Sequence, residues 1–362
     1  MTGLLRDPST AGASEEVPLL VATDLVKDFP IRGGVLGRPI GTVSAVAGVS
    51  ISVTPSIGVA IFPQDGVTPA GLIQHADQAM YRAKTGGGAR YRFFEPGMAE
   101  AALSELALES RLAQAVLHDE FVLHFQPQVS PRDGRLLGME ALVRWAHPQR
   151  GLVAPEEFIP LAERRRLILP IGQWVLRQAL QAALRWRQAG WPALPVAVNL
   201  STQQFQTPAF ADAVEAVLAE TGATGGQLEL ELTERMLMED QDAVRESLLR
   251  LKTMGVVVTV DDFGTGYTSL AQMKDLPLDR LKIGRSFVCG LPHERGAVAL
   301  ARAIAEMGRG LGLQVVAEGV ETEAQAQWVR EQGCHALQGF IVAPPMPELQ
   351  LHEWLRQRRS QG

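Results

Sequence analysis

The sequence predicts an α/β protein built on a (β/α)8 TIM-like barrel, with a small, incomplete α+β remnant ahead of it. Three observations predict this. From Phe121 onward, short apolar runs recur through the rest of the chain, a span of about 240 residues that suits one closed barrel. Helical stretches at 171–188, 241–254, 295–311 and 323–332 separate several of them, and strand–helix alternation implies a parallel sheet. The runs are apolar at successive positions, as expected of strands covered on both faces.

In chain order the predicted strands are FVLHFQPQV from Phe121, LLGMEALVRW from Leu136, VAVNLS from Val196 and LELELTE from Leu228. They continue with VVVTVDD from Val256, RLKIG from Arg280, LQVVAEG from Leu313 and ALQGF from Ala336. The stretch VVVTVDDFGTGYTSL is the most legible of them. β-Branched residues make its first half a buried strand. Asp261 and Asp262 are expected to end it, and Gly264 and Gly266 to turn the backbone sharply. Adjacent strand residues face opposite ways, so both carboxylates can converge only where the strand has stopped. Once together they repel unless a cation lies between them.

Polar side chains mark the other strand ends as well. Glu140, Asn199, Glu231, Asp261 with Asp262, Lys282, Glu318 and Gln338 each lie at or just past an apolar run. Any one alone reads as a solvated end or a helix cap. In a barrel, however, these positions share the C-terminal face, where this fold builds its sites. Carboxylates dominate the set, with carboxamides and a single amine, and hard divalent cations such as Mg²⁺ or Mn²⁺ prefer such an all-oxygen shell. The absence of histidine from the set argues against zinc. Glu229 alternates with Glu231 and so points the same way about 6.6 Å deeper, which suits a place behind the ligands or barrel filling better than ligation.

Composition bounds the function. Lys and Arg number 34 against 40 Asp and Glu, a net charge of −6, so no global basic field recruits a nucleic-acid polymer. Cys289 and Cys334, the only cysteines, lack metal-ligand spacing and suit a reducing compartment. No apolar run approaches the ~18 residues of a membrane span. The expectation is a soluble, cytoplasmic protein.

The N-terminal third reads as pieces. Residues 1–16 are expected to be disordered, and 1–50 to be a disordered or ABC-ATPase-like N-terminal fragment. Residues 17–50 resemble the opening of an oligopeptide-type ABC-transporter ATPase, but no GxxxxGK[ST] loop occurs, so ATP hydrolysis is not expected. Residues 51–98 resemble the C-terminal third of a GGDEF (diguanylate cyclase) domain through SIGVA, ADQAMYRAK and RYRFF; the half carrying the cyclase signature is missing. Lys84 matches a phosphate-contacting lysine of that family but has no partner half to serve. A linker helix is expected over 99–120, and the barrel domain over 121–358.

Residues 108–358 resemble the EAL domain, a cyclic di-GMP phosphodiesterase whose first strand is antiparallel. The signature is Glu140-Ala141-Leu142 within GMEALVRWAHPQRGLVAPEEFIPLAE, followed by NLS at 199–201, ELTE at 231–234, DDFGTGY at 261–267, LKI at 281–283, AEGVE at 317–321 and QGF at 338–340. The resemblance implies two Mg²⁺ or Mn²⁺ ions, one held by Glu140, Asn199, Glu231 and Asp261, the other by Asp261, Asp262 and Glu318. It places Gln338 beside the metals and gives Lys282 the attacking water to position and help deprotonate. It assigns Gln126, Leu142 and Arg144 to the substrate and Glu321 to tethering the 262–270 loop. It further implies cyclic di-GMP as ligand, linear pGpG as product, and a homodimer formed through the EAL domain.

Two departures stand out. AERRRLI at 162–168 replaces the usual AEETGLI, a change read as a surface basic cluster. LKIGRSF replaces LKIDRSF, so Gly284 removes a carboxylate expected on the same side as Lys282. A phosphodiesterase is the leading function; the alternative is an EAL-type cyclic di-GMP receptor with weak or no turnover.

Overall fold

The computed structural model describes residues 20–33, 38–53, 55–85, 89–238, 241–264 and 273–359. Contacts divide the chain into two compact units, Met1–Leu108 and Glu109–Gly362. The stretch 1–16, expected to be disordered, lies outside the described residues.

In the first unit, β1 (Leu20–Gly33) and β2 (Arg38–Val53) pair antiparallel. Further on, β3 (Ile57–Val59) and β4 (Tyr91–Phe93) pair in parallel, joined through α1 (Pro69–Thr85). These are the predicted SIGVA, ADQAMYRAK and RYRFF elements. Gly58 lets the helix lie directly on the strand, because a Cβ there would stand 1.9 Å from the Ala76 carbonyl oxygen. Lys84 ends α1 exposed to solvent. So few residues cover little apolar surface, and Phe62, Val67 and Ile73 remain largely exposed. The helix α2 (Met98–Leu117) follows, close to the predicted linker.

The second unit holds the barrel. Its strands are β5 (Phe121–Val129), β6 (Leu136–His147), β8 (Val196–Asn199), β9 (Leu228–Thr233), β10 (Val257–Phe263), β11 (Arg280–Ile283), β12 (Gln314–Ala317) and β13 (Ala336–Leu337). Neighbours from β6 through β13 run parallel. Antiparallel to both neighbours, β5 closes the ring between β6 and β13. Short strands β7 (Gly151–Val153) and β14 (Met346–Pro347) extend the rim. On β9 every residue from Leu228 to Leu232 is buried, as alternation between barrel interior and helix layer requires.

Helices cover the outside. Pro155 at the start of α3 (Pro155–Arg164) brings a φ already suited to a helix. The stripe Ile171, Val175, Ala179 and Ala183 of α4 (Ile168–Gln188) is buried, and the Trp186 ring meets Phe125 edge-on at 4.9 Å. This helix begins at Ile168, earlier than predicted, its Ile168 being buried too. In the 164–166 basic cluster, Arg165 donates to Glu109 at 2.5 Å, so part of the cluster is neutralised at the surface. Among the described residues no helix is long and apolar enough to cross a membrane.

Candidate active site

Strand β10 builds the acidic end of the barrel in a way the sequence did not suggest. It does not stop at Asp261 but runs to Phe263. Val260 pairs with Leu281 and Phe263 with Ile283, so Asp261 and Asp262 together oppose the single residue Lys282. This is a β-bulge, with Asp262 in the left-handed region at φ +50. The extra residue is what brings neighbouring carboxylates to one side. Ligating oxygens of Asp261, Asp262 and Glu318 all lie within 4.8 Å of one another.

Lys282 is fully buried in the midst of the carboxylates. Its Nζ lies 2.8 Å from Glu231 Oε1, 3.6 Å from Glu140 Oε2 and 3.7 Å from Asp261 Oδ1, and it contacts Glu318 Oε1. Burial opposes the ammonium, but Asp261, Glu140, Glu231 and Glu318 hold its pKa well above the ordinary lysine value. The carboxylates respond in different ways. Burial, with Glu140 next to it, pushes Glu231 well above the usual range, and burial outweighs Lys282 to push Glu318 up to about 8. Glu140 stays below its ordinary value: burial would raise it, but Lys282, Gln338 and Asn199 overcome that.

A carboxamide chain orients Glu140. Asn199 Nδ2 donates to Glu140 Oε1 at 2.6 Å, and Gln338 Nε2 donates to Glu140 Oε2 at 2.5 Å. Gln338 also donates to Gln126 Oε1 at 2.9 Å and accepts from Gln128 Nε2 at 3.0 Å, while Gln126 donates to the Ala343 carbonyl. Gln128, fully buried, was not singled out from the sequence; its place on β5 two residues beyond Gln126 was the available signal. Gly339 allows Gln338 its position, since a Cβ at 339 would stand 2.1 Å from the Val320 carbonyl oxygen.

Thus Gln126, Glu140, Asn199, Glu231, Asp261, Asp262, Lys282, Glu318 and Gln338 come together. Leu142 and Arg144 follow Glu140 at alternate positions on β6, partly buried, and Arg144 Nη1 donates to the Val143 carbonyl. Glu321 is exposed and paired with Arg285 at 2.8 Å. Residues 265–272, most of the loop it was expected to tether, lie outside the described residues. The buried Glu234, which sequence reasoning passed over, accepts a hydrogen bond from the Gly264 amide at 3.0 Å. The ELTE motif, with Glu234 at the end of a strand, was the signal. Gly284 closes β11 and precedes the helix Arg285–Val288; a Cβ there would meet Asp262 Oδ1 at 2.9 Å, so this position faces Asp262.

The donor set fits hard divalent cations. It is all oxygen and crowded, and among the described residues one ammonium only partly compensates it and neither Glu231 oxygen receives a well-aligned hydrogen bond.

Fold and site together define an α/β-barrel protein with an acidic, oxygen-lined mouth suited to phosphoryl chemistry. The chain belongs to the EAL-domain family, whose profile matches residues 109–345. The diguanylate cyclase GGDEF-domain profile matches 40–90. Among curated relatives, the bifunctional diguanylate cyclase/cyclic di-GMP phosphodiesterase MucR of Pseudomonas aeruginosa is 44% identical over 301 residues, covering 83% of this chain and 44% of that protein. The cyclic di-GMP phosphodiesterase NbdA of the same organism is 37% identical over 358 residues, 98% of this chain and 46% of its own length. The chain therefore spans less than half of either relative. A solved PaMucR phosphodiesterase in complex with c-di-GMP is 44% identical, with TM-score 0.66, covering 68% of this chain and 99% of that one. The transporter-ATPase likeness expected for 17–50 finds no support: the cyclase profile already begins at residue 40, and the NbdA alignment takes in nearly the whole chain.

Glu234→Ala removes the acceptor for Gly264. The amide of Gly264 should then exchange with solvent about tenfold faster, the equivalent of one lost hydrogen bond to a charged group, while Glu234→Gln should change it less. Hydrogen exchange read by mass spectrometry or NMR checks this.

Proposed function

We propose that this chain hydrolyses cyclic di-GMP to linear pGpG, using two Mg²⁺ or Mn²⁺ ions at the barrel mouth. The observation that carries the proposal is the convergence of Glu140, Glu231, Asp261, Asp262 and Glu318 around Lys282. The names of MucR and NbdA, and the c-di-GMP complex of the PaMucR domain, support the substrate.

In this reading Glu140, Asn199, Glu231 and Asp261 would hold one ion, and Asp261, Asp262 and Glu318 the other. Bound divalent ions supply Lewis-acid charge that activates water and stabilises the phosphodiester oxygens. Lys282 is assigned to position the attacking water and help deprotonate it, and the carboxylates around it favour its ammonium form. Gln338 and Asn199 fix the rotamer of Glu140. Gln126, Leu142 and Arg144 form the substrate side; the Arg144 guanidinium supplies a planar donor for phosphate or guanine. Water adds to phosphorus, the bond to the ribose 3′ oxygen breaks, and the water's proton ends on that leaving oxygen. Glu321, paired with Arg285, is assigned to tethering the 262–270 loop.

The same reading takes 121–358 as the phosphodiesterase domain, 99–120 as a linker helix and 51–98 as a cyclase-domain remnant without cyclase activity. It further places the protein in the cytoplasm as a homodimer formed through the barrel domain, lowering a second messenger.

A second reading, a cyclic di-GMP receptor with little turnover, draws on Gly284, where a carboxylate beside Asp262 is missing.

Purified protein with Mn²⁺ should convert cyclic di-GMP to pGpG, followed by ion-exchange chromatography, and EDTA should abolish the conversion. Asp261→Asn should abolish turnover while leaving measurable ligand binding. Turnover that survives EDTA, or Asp261→Asn, would rule out the two-ion assignment.

Gly284→Asp separates the two readings. Its Cβ would stand 2.9 Å from Asp262 Oδ1, so the Asp262 side chain would have to shift slightly, and its carboxylate could turn away to cap the helix Arg285–Val288. With the site so braced, kcat should rise about fivefold or more and KM stay within about twofold, because misplacement by ~1 Å alone can cost a hundredfold. An unchanged kcat in folded protein would show that position 284 does not limit turnover.

A further inference from the structure

Below the mouth lies a second polar layer. Glu229 is 1 % exposed, yet both of its oxygens are engaged: Thr259 Oγ1 donates to Oε1 at 2.5 Å and Arg280 Nη1 pairs with Oε2 at 2.5 Å. Arg280 Nε donates onward to Gln314 Oε1 at 3.0 Å. These groups come from four adjacent strands, β9, β10, β11 and β12.

Their sequence positions are the telling feature. Glu229 lies two residues before Glu231, Thr259 two before Asp261, Arg280 two before Lys282, and Gln314 four before Glu318. Side chains alternate along a strand, so Glu229, Thr259 and Arg280 point to the same side as Glu231, Asp261 and Lys282, one layer deeper, while Gln314 opens β12, the strand that leads to Glu318. Backbone pairing already sets the register of these strands, and the polar layer adds side-chain bonds that tie their interior faces together. A buried carboxylate with both oxygens engaged across three strands holds those faces, because a slip of any strand would leave a charge or hydroxyl unpaired.

We infer that Glu229, with Thr259, Arg280 and Gln314, forms a clamp that sets the relative heights of Glu231, Asp261, Lys282 and Glu318. Its members are positioning residues that act through those side chains and do not touch the substrate. The inference rests on the metal-dependent reading of the mouth and deepens it.

Thr259 offers the mildest probe. Thr259→Val keeps the shape and strand propensity and removes only the hydroxyl; Thr259→Ser keeps the hydroxyl and removes a methyl. The full chain and both variants are compared by Mn²⁺ titration calorimetry, cyclic di-GMP turnover and thermal unfolding. Thr259→Val should weaken Mn²⁺ binding several-fold and lower kcat about tenfold, with KM within about twofold, while Thr259→Ser should restore both quantities towards the parent. Glu229→Gln should show the larger losses if it folds.

A Thr259→Val protein with parental Mn²⁺ affinity and kcat would overturn the clamp, whatever its melting temperature. So would equal losses in the Val and Ser variants, which would mark packing as the cause. A parent that binds Mn²⁺ but does not turn over would remove the phosphodiesterase reading alone, since Mn²⁺ affinity still decides the clamp. A parent that binds no Mn²⁺ would overturn both.

Discussion

The burial of the Lys282 ammonium among acidic side chains is the constraint on which the rest of this barrel depends. A lone ammonium taken out of water is strongly disfavoured, and carboxylates gathered without a cation repel one another. Here each answers the other, but incompletely. Lys282 carries one charge against Glu140, Glu231, Asp261 and Glu318, and burial still pushes Glu231 and Glu318 above the carboxylate range. Such an imbalance is poor for stability and well suited to recruiting hard cations. The fold holds it in place because these side chains come from separate strands, Glu140 and Glu231 from within β6 and β9 and Glu318 from just past β12.

Two backbone devices place the charges. The β10 bulge turns Asp262 to the side of Asp261, at the cost of a left-handed backbone at a non-glycine residue. The antiparallel β5 brings Gln126 opposite Glu140 and Gln128 next to Gln338, so a carboxamide chain fixes the Glu140 rotamer from the strand that closes the ring. Neither device supplies charge; both decide where it points.

Much of this was legible in the sequence. The eight strands could be read because burial on both faces leaves nearly continuous apolar runs, and the site because polar residues interrupt those runs at their ends. The bulge was not legible: DDFG reads equally as a strand stop, and only pairing with β11 shows that the ladder resumes at Phe263. Glu234 escaped because a strand-end glutamate resembles a solvated cap until its contact with Gly264 is seen. Glu229 could be read from alternation as lying behind the ligands or filling the barrel, but its partners Thr259 and Arg280 are distant in sequence and no local spacing joins them. A side chain at Gly284 was expected within reach of Lys282 or of the loop that begins at Asp262; because β11 ends at Ile283, the position faces Asp262.

The account's central claim is that divalent ions complete the charge balance that Lys282 begins. A crystal of the full chain grown with Mn²⁺ and measured at the manganese edge tests it most directly. Two anomalous peaks are predicted in the barrel mouth, one bounded by Glu140, Asn199, Glu231 and Asp261 and the other by Asp261, Asp262 and Glu318. A map with no peak among these residues, and Lys282 still ringed by the carboxylates, would contradict it.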